Sequence, residues 1–202
     1  MYLIKSPFWL QWLYPALIWH KSRAHKCIYL TFDDGPVPDV TPFVLETLKT
    51  FEARATFFCI GDNVRKHPEI FERLVQEGHR GGNHTFNHLR GWDTDDHVYL
   101  ENVQQCTDLL GSDLFRPPYG RAKKTQYSML NTQYSVIMWD VLSGDFDPGL
   151  KPEKCLKNVL KYTQNGSIVV FHDSIKAFPR LEYTLPRALD AWKKAGYEFA
   201  VL

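Results

Sequence analysis

The sequence predicts an α/β protein: an irregular, slightly incomplete (β/α) barrel of about seven parallel strands, with an open doubly wound sheet as the alternative. Three observations carry this. Apolar runs alternate along the chain with capped periodic segments, so each helix serves as the crossover between parallel strands. The runs are nearly continuous in Val, Ile and Phe, as strands buried on both faces require. Polar residues gather at the strands' C-terminal ends, the rim where parallel barrels build their sites. A chain of 202 residues is most simply one domain with a sizeable core.

Each element has its own signal. Residues 27–32 form an apolar strand ended by Asp-Gly-Pro. Thr41-Pro42 opens a helix, as N-cap and first-turn proline, running to about Phe51. Residues 55–60 form the second strand. His67-Pro68 starts a helix that Gly78 stops, and a short strand around 79–83 follows. The segment 95–110 is amphipathic, with Gly111 behind it. Leu114-Phe115-Arg116 is a short strand ended by two prolines, and a helix spans 124–131. Residues 135–139 form another strand, Pro152 opens a helix that Asn165-Gly166 closes, and residues 167–172 form the next strand. A last helix begins near Thr184-Leu185-Pro186 and ends at Gly196; residues 198–202 form the final strand.

Lys plus Arg number 24 against 23 Asp plus Glu, a net charge of +1. That balance gives no argument for nucleic acid or an anionic membrane as partner, and it suits a neutral substrate such as a glycan. The four cysteines, Cys27, Cys59, Cys106 and Cys155, are far apart and contain no CxxC pair, so they read as small buried hydrophobes. Residues 1–26 are expected to form an aromatic segment packed on a domain spanning 27–202. The stretch from Pro7 to Trp19 is too short for a stable membrane span and is broken by Gln11 and Pro15. Ser22-Arg23-Ala24 is a poor signal-peptidase site, which leaves location open between cytoplasm and envelope. Membrane-surface contact through Phe8, Trp9, Trp12 and Trp19 is the second reading of this segment.

Thr31-Phe32-Asp33-Asp34-Gly35-Pro36 puts two adjacent carboxylates where the first apolar run stops. Neighbours in a strand face opposite ways, but past a bend at Gly35 both can converge on one pocket. One can then hold a metal while the other stays free as a base. Ordinary turn chemistry favours the same residues. His84-Thr85-Phe86-Asn87-His88 sets two imidazoles at i and i+4, which on one helical turn face the same way. Asp34, His84 and His88 make a two-His, one-carboxylate set suited to zinc, cobalt or another divalent first-row ion, with positions left for water and substrate. Arg116-Pro117-Pro118-Tyr119-Gly120 is a rigid strand exit: Arg116 suits a carboxylate, and a backbone N–H after the prolines suits an oxyanion. Asp140 and Asp145 follow the strand ending at Trp139. His172, at the end of the last strongly apolar strand, is either a satisfied core residue or a general acid.

Taken together these segments resemble the polysaccharide deacetylase family, also called the NodB-homology domain or carbohydrate esterase family 4. The resemblance covers about residues 27–200 and rests on TFDDGP, HTFNH, RPPYG, SGDF and VFHD in family order. It implies a metal-dependent enzyme that removes N-acetyl groups from an N-acetylglucosamine-containing glycan, such as peptidoglycan or chitooligosaccharide. By the same resemblance Asp34, His84 and His88 hold the ion, Zn2+ first among candidates, and Asp33 is the base, oriented by Arg116. The backbone N–H of Tyr119 meets the oxyanion, and His172 is the acid, tuned by Asp145. Tyr119, Trp139, Phe146 and Val170 line the substrate. Leu89, Leu142, Phe146 and Val170 depart from the family pattern and bear on substrate choice. An O-acetyl esterase on xylan, a small-amide hydrolase and a catalytically silent glycan-binding domain are the competing readings.

Overall fold

A computed structural model describes residues 2–202. Its strands are β1 (Cys27–Asp33), β2 (Ala55–Cys59), β3 (Arg80–Asn83), β4 (Leu114–Phe115), β5 (Ser135–Val136), β6 (Val141–Leu142), β7 (Ile168–His172) and β8 (Glu198–Phe199). All pair in parallel, in the order β5-β4-β3-β2-β1-β7-β6, with β8 added on β1. The sheet curls into an incomplete barrel, the predicted class, with helices outside it.

The helices are α1 (Phe8–Leu13), α2 (Thr41–Thr50), α3 (Gly61–Lys66), α4 (Pro68–Gln76), α5 (Asp96–Leu110), α6 (Lys124–Leu130), α7 (Pro152–Tyr162) and α8 (Phe178–Lys194). The two-residue period of the strands sorts the core. Leu30 and Phe32 face outward with Phe57, Val169 and Phe171, against Leu45 of α2 and Leu185 of α8. Thr31 and Asp33 point the other way. Register sets them beside Val170 and His172 of β7, so the base and acid candidates end adjacent strands on the inner face.

Among the described residues no β5–β6 pairing closes the barrel, and the N-terminal segment lies along that seam. Ile18 accepts from the Met138 N–H at 2.8 Å and donates to the Val136 carbonyl at 2.9 Å. Ile4 accepts from the Leu142 N–H at 2.8 Å, and Ser6 donates to the Asp140 carbonyl at 3.0 Å. Leu17 and Trp19 are buried with Phe115 and Tyr127, whereas Phe8 and Trp12 are 83% and 81% exposed. No helix among the described residues is long and apolar enough to cross a membrane.

Several expectations are corrected. Thr41 is the first residue of α2 rather than its cap; its hydroxyl accepts from the Val37 N–H and donates to Asp173. The expected strand 135–139 is only two residues long, and an unpredicted β6 follows it. α3 was not predicted, because six polar-rich residues carry no clear period. α8 starts six residues before Thr184 and runs through Pro186. Its buried stripe of Leu181, Leu185, Leu189 and Trp192 outweighs the roughly 3 kcal/mol that an interior proline costs.

Candidate active site

The C-terminal ends of β1, β3, β4 and β7, with the chain after β6, surround a cavity of about 470 Å3. Asp33, Asp34, His84, His88, Tyr119, Trp139, Phe146, Val170 and His172 line it, so the fold assembles predicted residues spread over nearly 140 positions of sequence. Arg116 and Asp145 lie behind this lining, each bonded to a residue in it.

The Asp-Asp turn works through its backbone. Asp33 keeps strand geometry, while Asp34 takes a positive φ of 88° and turns its carboxylate to the same side. Gly35 is required because its N–H donates to Asp173 at 3.0 Å and a Cβ would lie 1.9 Å from Asp173 Oδ2. Asp173 is buried, and desolvation pushes its pKa up to about 8; the Asp34 charge adds to this, against the Thr41 and Gly35 hydrogen bonds.

The HTFNH segment is not a helical turn, a correction to the sequence reading. Thr85 and His88 have φ of 62° and 56°, and this left-handed backbone brings the two imidazoles together with their rings 5.1 Å apart. Asn102 of α5 fixes the loop: its Oδ1 accepts from the N–H groups of Phe86 at 2.9 Å and Asn87 at 3.0 Å. Asn83 Oδ1 accepts from the Thr85 N–H at 2.8 Å. His84 Nδ1 lies 2.8 Å from the Arg116 carbonyl, so it carries the proton and Nε2 presents a lone pair to the cavity. Asp34 Oδ1 is 3.3 Å from His88 Nε2 and 3.9 Å from His84 Nε2. Burial, then its neighbour His88, holds the pKa of His84 well below the usual histidine range. Burial also lowers that of His88, against the Asp34 charge. Two neutral imidazoles and a carboxylate, with ligand atoms all within 4.8 Å of one another, fit a divalent ion.

Arg116 is wholly buried, its guanidinium lying over the Phe58 ring at 4.1 Å. Nη1 donates to Asp33 Oδ1 at 2.6 Å and to Thr31 Oγ1 at 2.8 Å; Nε and Nη2 donate to the Ile137 and Met138 carbonyls. This holds Asp33 in one orientation and leaves its Oδ2 without a protein donor among the described residues. Tyr119, at φ 60°, sets its ring 4.8 Å from that of His88, and its N–H has no protein acceptor among the described residues.

Asp145, not Asp140, pairs with His172. Its Oδ1 is 2.8 Å from His172 Nδ1, and its Oδ2 accepts the His172 backbone N–H at 2.8 Å. Nε2 is thereby left facing the cavity. Burial disfavours the charged ring, but the Asp145 charge and hydrogen bond outweigh it, with Asp34 and Asp33 adding. The pKa of His172 rises to about 9. Asp140 instead meets Lys5 at 2.6 Å and Arg23 at 2.9 Å, both from the N-terminal segment.

Sequence reasoning missed several contributors. Asn102 and Asp173 act by holding loops, and only contacts between distant elements show it. Arg90, Arg121 and Lys176 on the rim look like surface cations in sequence. Tyr2 lines the cavity, packs 4.9 Å from the Phe146 ring and donates to Asp147 at 2.8 Å; nothing local marks it.

Comparison with known proteins gives the family. The chain belongs to the polysaccharide deacetylase family, whose model matches residues 20–136. A peptidoglycan-N-acetylglucosamine deacetylase of Bacillus cereus is 33% identical, covering 91% of this chain and 90% of that protein. A chitooligosaccharide deacetylase of Azorhizobium caulinodans is 36% identical over 75% of this chain and 76% of that protein. The peptidoglycan-N-acetylglucosamine deacetylase PgdA of Listeria monocytogenes is 34% identical over 90% of this chain, which spans 39% of that longer protein. Among solved structures, a peptidoglycan N-acetylglucosamine deacetylase complexed with a naphthalenyl N-hydroxybenzamide superposes with a TM-score of 0.89. It is 27% identical, and the match covers 98% of this chain and 95% of that one.

Proposed function

We propose that this chain hydrolyses the N-acetyl groups of N-acetylglucosamine units in a glycan, peptidoglycan or chitooligosaccharide, releasing acetate and leaving a free amine. One observation carries the reading: a carboxylate clamped by Arg116 and an imidazole clamped by Asp145 end adjacent strands beside a two-His, one-carboxylate cluster. The named activities of the relatives support the choice of glycan.

A divalent ion held by Asp34, His84 and His88, zinc first, would supply Lewis acidity to the attacking water and the acetyl carbonyl. The chain's own groups then divide the proton work. Asp33 takes a proton from the water as it adds to the carbonyl carbon, its free oxygen facing the cavity while Arg116 holds the other. The Tyr119 N–H is available to the oxyanion that forms. His172, charged through Asp145, gives the proton from Nε2 to the nitrogen as the carbon–nitrogen bond breaks. Acetate and the amine leave with the atoms balanced. Val170, Leu142 and Trp139 would enclose the methyl group, and Phe146 offers a smaller stacking face than a tryptophan.

The test is acetate release from N-acetylglucosamine oligomers by metal-loaded protein, with and without chelator. Chelator-sensitive release supports the reading. Oligomer binding without release points to a silent glycan-binding domain, and release only from O-acetylated xylan points to an esterase.

A further inference from the structure

Beside the catalytic cavity lies a second one, of about 340 Å3. The two share Tyr2, Tyr119, Gly120, Arg121, Trp139 and Leu142, so they adjoin as parts of one cleft. The N-terminal segment supplies one wall through Leu10, Tyr14 and Trp19, most of it before the residues the family model matches. Trp92 and Tyr127 also line it. Aromatic faces of this kind stack on the C–H faces of sugar rings, and Trp92 is 54% exposed, open to a ligand.

The charge pattern narrows the ligand. Among the described residues no carboxylate lines this second cavity, and its one cation is Arg121, at the junction with the catalytic cavity. The guanidinium is stacked on Trp92 at 4.8 Å and makes no ion pair among the described residues. Lys176, on the catalytic rim, also lacks an ion pair within 4 Å among the described residues, whereas Arg90 is paired with Asp93 at 3.2 Å. A cation held by an aromatic ring at the mouth of an apolar cleft, without a counter-ion, is preorganised for a carboxylate. A net charge of +1 hides this local excess.

We propose that the second cavity is a subsite for the neighbouring sugar of the same glycan, and that Arg121 selects a neighbour bearing a carboxylate, such as a 3-O-lactyl group. The proposal rests on the deacetylase reading and sharpens it, favouring an acidic glycan over a neutral chitooligosaccharide.

The experiment uses the full chain, metal-loaded, and two substrates of equal length. One is a peptide-free glycan alternating N-acetylglucosamine with its 3-O-lactyl derivative; the other is the same glycan with its lactyl carboxylates converted to methyl amides. The wild type is expected to show a KM about tenfold lower for the carboxylate form, the worth of one charge-assisted contact. In Arg121→Gln that ratio falls to about one, and Arg121→Lys retains part of it. A wild type without the preference, or an Arg121→Gln variant that keeps it, overturns the proposal. Indole N–H signals of Trp92 and Trp19, followed by NMR on adding each glycan, read the subsite without turnover. Shifts that need the carboxylate, in a protein releasing no acetate, would sink the deacetylase reading and keep the subsite. Acetate release with unmoved indole signals would sink the subsite alone.

Discussion

At the scale of single residues, the proposed mechanism rests on two clamped side chains, and each clamp is expected to make a measurable difference. Asp33→Asn is expected to keep its bound metal and lose turnover by about 10²–10⁴, the usual share of a positioned base. Metal content and acetate release on the same sample check this, and an active variant would refute the assignment. Asp145→Asn removes the charge that raises the pKa of His172 to about 9. Because the acid must be protonated, the wild-type alkaline limb of kcat falls at or below about pH 9, since a cation beside Asp34 offsets part of that carboxylate's pull. In Asp145→Asn the limb moves to lower pH. The same shift has a stability consequence. The folded pKa lies above the unfolded value of about 6.5, so the stabilisation is complete below about pH 6.5 and is lost as pH rises through about 9. Urea unfolding at several pH values would detect it.

At the scale of elements, the site depends on backbone that helices and turns hold in uncommon conformations. Asp34, His88 and Tyr119 have positive φ and line the cavity, and Thr85, buried between the two imidazoles in sequence, has positive φ as well. Left-handed residues other than glycine cost on the order of 1–3 kcal/mol each, so the surroundings must hold them there. Asn102 is such a holder, from a different element. Asn102→Ala is expected to weaken metal binding by about 10–100-fold while α5 persists, as loss of a loop-positioning group does. Competition against a chromogenic chelator measures it, and unchanged affinity would count against the role. Gly35→Ala has a steeper outcome, because its Cβ would fall on the Asp173 carboxylate. It is expected to lose both metal and activity, by the same assays.

At the scale of the whole molecule, the barrel seam is covered by residues 4–23. Lys5 and Arg23 both meet Asp140, which is fully buried, and backbone bonds from Ile4, Ser6 and Ile18 run along the seam. Replacing both cations leaves an unpaired buried charge. Lys5→Met with Arg23→Met is therefore expected to destabilise the fold by about 3–5 kcal/mol, and adding Asp140→Asn should restore part of that loss. Chemical denaturation of the three proteins checks the order. The same segment places Tyr2 against Phe146 in the catalytic cavity, so its detachment would reach the active site as well as the fold.

The barrel class and most of the site were legible because parallel strands announce themselves locally. Apolar runs ending at Asp33, Arg116 and His172 need only their continuity and a turn signal to be read, whereas the strand before His84, Arg80–Asn83, has no apolar run and is placed by the helix stop at Gly78. Other parts of the reading needed the resemblance: the spacing at Asp140 and Asp145 left both open, and the family pattern chose Asp145. Geometry decided the rest. No local pattern says that HTFNH bends through left-handed residues instead of a helical turn, since that conformation is held by Asn102, fifteen positions beyond Asn87. None says that α8 passes through Pro186, since its buried stripe pays only once the sheet is there to cover. The sequence by itself determined which side chains end which strands. Tertiary structure alone decided which of them meet, because contacts such as Tyr2 with Asp147, or Arg116 with Asp33, join residues that have no relation until the sheet curls.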